Sequence, residues 1–267
     1  MKKFLSILMA AAMLLSVCAL TACGGSEEPA PTDDTAESDA VFTTVNPGKL
    51  TMSTNAAFPP YEMTTDSGDF EGIDVEIAGA IAEKLGLELQ VDDMDFDAAL
   101  TAAQEGKSDM VMAGVTVTED RMLVMDFSDS YAEGVQVVIV KEGSDIATID
   151  DLEGKMIGTQ RGTTGNIYCT DDYGAEHITS YDNGITAVQA LMNGQVDFVV
   201  IDKAPAQSFV AANPGLLILD TEYAVENYAI GLGKGNTALL EAINAALAEL
   251  TEDGTIQAIV DKYISAE

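Results

Sequence analysis

Gly106-Lys107-Ser108-Asp109-Met110-Val111-Met112-Ala113-Gly114 returns at a constant offset as Gly194-Gln195-Val196-Asp197-Phe198-Val199-Val200-Ile201-Asp202. Ala99-Leu100 precedes the first copy and Ala187-Val188 the second, in the same register. Each copy reads as the end of a helix, a Gly stop, an Asp and then an apolar strand. The spacing is too wide for a solenoid period. It predicts two lobes built on one plan. Gly114 and Asp202 then fall at the same place, the C-terminal end of corresponding strands, where open α/β sheets take their ligands.

Working outward from the first copy, Lys49 to Ser53 reads as a strand leading into the turn Asn55-Ala56-Ala57-Phe58-Pro59-Pro60-Tyr61. Ile73, Ile77, Ile81 and Leu85 fall on one helical face, with Gly86 as the stop. Leu87 to Val91 is the next strand and Ala98 to Glu105 the next helix. Alternating strands and helices imply parallel pairing and an α/β class. Val135 to Val140 and Tyr223 to Gly231 suit a pair of crossings between the lobes. Leu239, Leu240, Ile243, Leu247 and Leu250 mark a helix, and Ile256, Ile259, Val260 and Ile264 a shorter one; both are expected to return to the first lobe.

Gly114 to Arg121 holds the sharpest chemical signal. The strand ends, a polar turn follows, and Arg121 stands at the opening of the next helix. A guanidinium fork grips a carboxylate through two parallel charge-assisted bonds, and Thr116 supplies a hydroxyl and an amide beside it. The competing reading is a surface Arg paired with Glu119. Asp202, closing an apolar strand, is poised to meet an ammonium; the competing reading is a helix N-cap for the segment starting near Ala204. One cation and one anion, each from a different lobe, would close on a zwitterion. Phe58 and Phe96 are candidate apolar walls in loops after strand ends. Gln160-Arg161-Gly162-Thr163-Thr164-Gly165 lies between a strand and a helix, where free backbone amides suit an anion.

Ahead of this body, Lys2 and Lys3 precede an apolar stretch from Phe4 to Leu20, and Leu20-Thr21-Ala22-Cys23-Gly24 places small residues before a cysteine. This reads as a secretory signal over residues 1–23 with lipid attachment at Cys23; about 17 apolar residues is short for a membrane span of ~20. Residues 24–46 are small, acidic and Pro-containing, and read as a flexible tether. With Cys18 in the signal and Cys23 the lipid site, Cys169 is left alone, so the fold is expected to hold without a disulfide. The chain carries 45 Asp and Glu against 12 Lys and Arg, a net charge of −33. That argues against nucleic acid and anionic membrane surfaces as partners, leaving the lipid as the only membrane tie.

Phe58 to Glu62, Gly68 to Glu76, Gly114 to Arg121, Asp126 to Tyr131, Gly158 to Gly165 and Asp197 to Asp202 together resemble the polar amino-acid-binding family of ABC-transporter solute receptors. The resemblance runs through nearly all of residues 47–267. It implies an α/β, two-lobed periplasmic-binding-protein-like fold of type II with two crossover strands, lobe 1 being 47–139 with 228–267 and lobe 2 being 140–227. It implies an L-amino acid ligand, handed by a lipid-anchored monomer on the outer face of the cytoplasmic membrane to an ABC permease. Carried over by position, Arg121 clamps the carboxylate with Thr116 and the amides of Thr163 and Thr164. Asp202 and the Gly114 carbonyl hold the ammonium, and Phe58 and Phe96 sandwich the side chain. Asn55 and Gln160 sit nearer its tip. The family often has an acid where Asn55 stands, and a cationic or apolar residue where Gln160 stands. Two uncharged groups there point to an uncharged polar side chain, unless Arg161 turns inward.

No cofactor or metal is expected. An enzyme on the same scaffold, such as a dehydratase, is the main rival. His177 is the sole histidine, so no Ser-His or Cys-His pair is available, although paired acids could still do acid–base work. A sensor module that binds the ligand without feeding a transporter is the second rival.

Overall fold

The computed structural model describes residues 42–220 and 222–264. The signal segment, its Cys23 and residues 24–41 of the tether lie outside the described residues. Phe42 packs against the core, and the Val45 amide donates to Asp109 Oδ1 at 2.7 Å, so the chain is held to the body before the first strand begins.

That strand, β1 (Lys49–Thr54), is buried along nearly its whole length, as expected of a parallel strand covered on both faces. Three short strands, β2 (Ala57–Phe58), β3 (Glu62–Thr64) and β4 (Phe70–Glu71), form a small antiparallel ribbon of their own. It leads to α1 (Ile73–Lys84), which buries Ile73, Ile77 and Ile81 as their spacing requires. Next come β5 (Glu88–Asp93), α2 (Phe96–Gln104), β6 (Met110–Val111) and α3 (Glu119–Val124). The long β7 (Met125–Lys141) crosses to the second half. There the same alternation runs through β8 (Ile157–Gln160), α4 (Thr164–Tyr173), β9 (Ile178–Tyr181), α5 (Gly184–Met192), β10 (Phe198–Asp202) and α6 (Lys203–Ala212). After β11 (Leu216–Ile218), β12 (Ala224–Gly233) crosses back, and α7 (Thr237–Glu252) and α8 (Thr255–Tyr263) pack on α1.

Among the described residues, nine strands form one mixed sheet in the order β5-β1-β6-β12-β7-β10-β8-β9, with β11 on β7. β1 is parallel to β5 and β6, and β8 is parallel to β9 and β10. The antiparallel pair β7 and β12 joins these two parallel groups, and its register shifts between Tyr228 and Gly231. This is the α/β, two-lobed type II arrangement with two crossover strands. It also sets the address of the site. Asn55 follows β1, Gly114 follows β6 closely, Gln160 ends β8 and Asp202 ends β10, so four strands from both groups deliver a polar residue at their C-terminal ends.

Two local expectations need correction. Phe58 and Phe96 are not in loops. Phe58 ends β2, hydrogen-bonded in register with Glu62 across the turn that Pro59 and Pro60 make. Phe96 opens α2 because Asp95 adopts the extended backbone of an N-cap. Both are thereby fixed by regular structure. No helix of the described residues is long and apolar enough to cross a membrane, and among those residues no cluster of His, Cys, Asp or Glu could hold a metal ion.

Candidate functional site

One cavity collects every candidate ligand-binding residue. Asn55, Phe58, Phe96, Gly114, Thr116 and Arg121 line it from the first half of the chain. Gln160, Thr163, Thr164 and Asp202 line it from the second. Glu62 and Ala113 complete the wall.

Arg121 is held by its local sequence. Thr118 caps α3, its hydroxyl accepting from the Arg121 amide at 3.2 Å, and this turns the side chain back over the preceding loop. Nη1 donates to the Thr116 carbonyl at 2.8 Å, and Nη2 donates to the Gly162 carbonyl at 3.0 Å. The guanidinium carbon lies 5.4 Å from the centroid of the Phe96 ring, within cation–π range. Arg121 is 9 % exposed and pairs with carbonyls rather than with Glu119. Burial pushes the guanidinium below its ordinary value, and the charge of Glu226 is the largest counterweight. A guanidinium has five N–H donors; two carbonyls fix its plane and leave donors for an incoming carboxylate.

Asp202 is the anionic counterpart. It occupies the N-cap position of α6 but its side chain makes no capping bond. Tyr228, wholly buried in β12, donates its hydroxyl to Asp202 Oδ1 instead. The reason is steric as well as polar. A Cβ on Gly134 would lie 2.4 Å from Tyr228 Cε1, so glycine at 134 gives the ring its place beside Asp202. Burial lifts the Asp202 carboxyl to about 7, more than its hydrogen bonds lower it.

Most of the remaining wall is apolar, amide or hydroxyl, with Glu62 as a further acid. Gly114 has a φ of 56°, and a Cβ there would meet Phe58 Cε1 at 2.9 Å, so both the backbone and the aromatic contact require glycine. Gln160 Nε2 donates to Asn55 Oδ1 at 3.0 Å, and Asn55 Nδ2 donates to the Met94 carbonyl at 2.8 Å. Thr163 caps α4, accepting from the Asn166 amide at 3.3 Å, while its own amide makes a long bond of 3.4 Å to the Gln160 carbonyl. Arg161 turns outward onto Asp182 at 2.8 Å. His177 lies in a short turn and not on the cavity wall.

The sequence reading missed the buried acids in and behind this wall. Glu226 accepts from Thr116 Oγ1 at 3.1 Å and from Gln136 Nε2 at 2.9 Å. Asp74 Oδ2 accepts from the Gly114 amide at 2.9 Å and from Tyr131 at 2.8 Å. Glu62 has no exposed surface. Glu62 sits opposite Phe58 in the short β2–β3 pairing.

Comparison with known proteins follows the same outline. Residues 50–266 match the bacterial extracellular solute-binding proteins, family 3. The chain is 34% identical over 275 residues to a probable histidine-binding protein of Neisseria gonorrhoeae, covering 100% of this chain and 97% of that one. An ancestral arginine-binding protein bound to glutamine is similar in structure, with a TM-score of 0.78 and 40% identity over 82% of this chain and 99% of that one. An ancestral arginine-binding protein bound to arginine gives a TM-score of 0.77 and 41% identity over the same shares, 82% and 99%.

Proposed function

This chain belongs to the bacterial extracellular solute-binding proteins, family 3, and from that premise we propose that it captures a polar L-amino acid for an ABC importer. The observation that carries the reading is the meeting of Arg121 and Asp202 on one cavity wall, with one side chain from each half of the chain. A free amino acid presents a carboxylate and an ammonium a few ångströms apart, and the two charges match it. In this reading Arg121 clamps the carboxylate with help from Thr116, Thr163 and Thr164. Asp202 and the Gly114 carbonyl hold the ammonium. Phe58 and Phe96 flank the side chain, and Asn55 and Gln160 meet its polar tip. Relatives named for histidine and arginine, and one bound to glutamine, all involve polar side chains.

The lobes are 47–139 with 228–267, and 140–227, with β7 and β12 as the crossings. Ligand brings them together, and the closed form is what a permease reads. The protein works as a monomer outside the cytoplasmic membrane, tethered by lipid on Cys23 and a linker over 24–46. Its relatives in the family are receptors; turnover of a bound amino acid, seen as a change in its mass, would instead support the dehydratase-like alternative. A permease gene beside this one separates importer from sensor. The decisive experiment is a thermal-shift screen of the purified protein against the twenty amino acids. A specific ligand raises the melting temperature by mass action, and no shift with any amino acid overturns the reading.

A further inference from the structure

Thr116 is held on three sides. The Val117 amide donates to the Asn227 carbonyl at 3.1 Å, and the Ala229 amide donates to the Val115 carbonyl at 3.0 Å. Thr116 and Tyr228 thereby form an antiparallel bridge between the loop after β6 and β12. Residues paired in this way, between two such bonds, turn their own amide and carbonyl away from the opposite strand. The Thr116 carbonyl accordingly accepts from Arg121 Nη1 at 2.8 Å, and its amide faces the same side. The third tie is the side chain. Thr116 Oγ1 donates to Glu226 Oε2 at 3.1 Å, and Gln136 Nε2 donates to the same oxygen at 2.9 Å. A hydroxyl has one hydrogen to donate, and Thr116 gives its own to Glu226.

Glu226 is buried on β12 and stands behind the cavity wall, not on it. Gln136, also buried, brings in the second half of the chain. It is the register partner of Asp202, and its Oε1 lies where a Cβ on Gly165 would come within 2.8 Å. Gly165 follows Thr163 and Thr164 at the opening of α4. One buried acid thus joins the two walls expected around a ligand carboxylate. We propose that Glu226 is a positioning residue for that end of the ligand: it takes the Thr116 hydroxyl hydrogen, so that Thr116 serves the carboxylate through its amide, beside the Arg121 fork, and not through its hydroxyl. This rests on the amino-acid-capture reading and adds to it a residue that touches no ligand. The charge of Glu226 also offsets the burial of the Arg121 guanidinium. Both bonds fall on Oε2, while Oε1 has no partner among the described residues, so the single amide oxygen of a glutamine can accept both.

A double-mutant cycle on the purified protein tests this, read by calorimetry with L-arginine and L-glutamine as probes. T116V and E226A should each weaken binding by about tenfold, the lower end for a hydrogen bond to a charged group. T116V added to E226A should then lose nothing more, because the bond it removes is already gone. If the hydroxyl served the ligand directly, the two losses would multiply to about a hundredfold, and that result overturns the proposal. E226Q should stay within about threefold of the wild type, since it keeps a neutral acceptor; a loss as large as in E226A overturns the proposal. L-Argininamide and L-glutaminamide lack the carboxylate and should lose far less in E226A than the parent amino acids do. Equal losses would leave Glu226 a purely structural acid. Should E226A not fold, E226Q replaces it in the cycle. Its neutral acceptor holds Thr116 less firmly, so T116V should weaken binding less there than in the wild type, and an equal loss overturns the proposal. If the wild type binds neither probe, the capture reading fails and this role falls with it. Additive losses in a protein that binds a probe overturn this role alone.

Discussion

Gln160 Nε2 donates to Asn55 Oδ1 at 3.0 Å, joining residues 105 apart in sequence across the end of the cavity. Both side chains are nearly buried, and the bond between them is one a ligand side chain could exchange. Asn55→Ala and Gln160→Ala should therefore reorder the preference among amino acids while leaving general binding intact. A neutral hydrogen bond contributes about 0.5–1.5 kcal/mol, so individual ligands should move by a few-fold to about tenfold. Calorimetry across a panel of amino acids measures this. A flat profile removes both residues from the selectivity shell.

The carboxylate clamp makes a stronger demand. Arg121→Ala removes a buried guanidinium that two carbonyls orient, and should lose at least ~2 kcal/mol of amino-acid affinity, the scale for breaking a buried charged contact. Arg121→Lys should recover little, because a single ammonium cannot reach both carbonyls and still present a fork to the ligand. Unchanged affinity in Arg121→Ala would refute the clamp.

Asp202 is tested by splitting the ligand rather than the protein. Asp202→Asn should weaken an amino acid by about 1.5–3 kcal/mol, the worth of a hydrogen bond to a charged group, and weaken its des-amino analogue far less. Tyr228→Phe removes the hydroxyl that orients the carboxylate and should follow the same pattern at smaller size. Equal losses for both ligand classes would leave Asp202 with no ammonium to hold.

Much of this architecture was legible because it depends on local pattern. Ile73, Ile77 and Ile81 announce α1, the two Gly–Asp–apolar copies announce β6 and β10, and the polar turn after Gly114 announces the guanidinium. The ten candidate wall residues were found through those patterns and the family resemblance together. What stayed hidden depends on long-range burial. Glu62 and Asp74 are two acids among 45 in a chain of net charge −33, and nothing in their immediate neighbours separates a buried carboxyl from a solvated one. The bond from Tyr228 to Asp202 joins β12 to β10 through the packing of β7 between them, with Gly134 as the gap that admits the ring. Phe58 looked like a loop residue because a two-residue strand is too short to show an alternation.

These same hidden acids set the pH response of the empty protein. Burial raises Asp202 to about 7 and Asp74 to about 6, with Glu62 higher than its ordinary range. In the unfolded chain all three titrate near 4. Between about pH 4 and 7 the folded state therefore binds more protons than the unfolded state, and stability falls as pH rises through that window. Asp126, Asp145, Asp151 and Asp253 are lowered instead, so their contribution is lost as pH falls below about 4. The melting temperature of the ligand-free protein should accordingly peak near pH 4–5 and decline toward pH 8. Repulsion among the many surface carboxylates acts in the same direction, and variants separate the two causes. Asp74→Asn and Asp202→Asn should each flatten the decline while leaving the surface charge otherwise intact. A melting temperature that rises from pH 5 to 8, or a decline as steep in both variants as in the wild type, would mean that these carboxyls are ionised in the folded state.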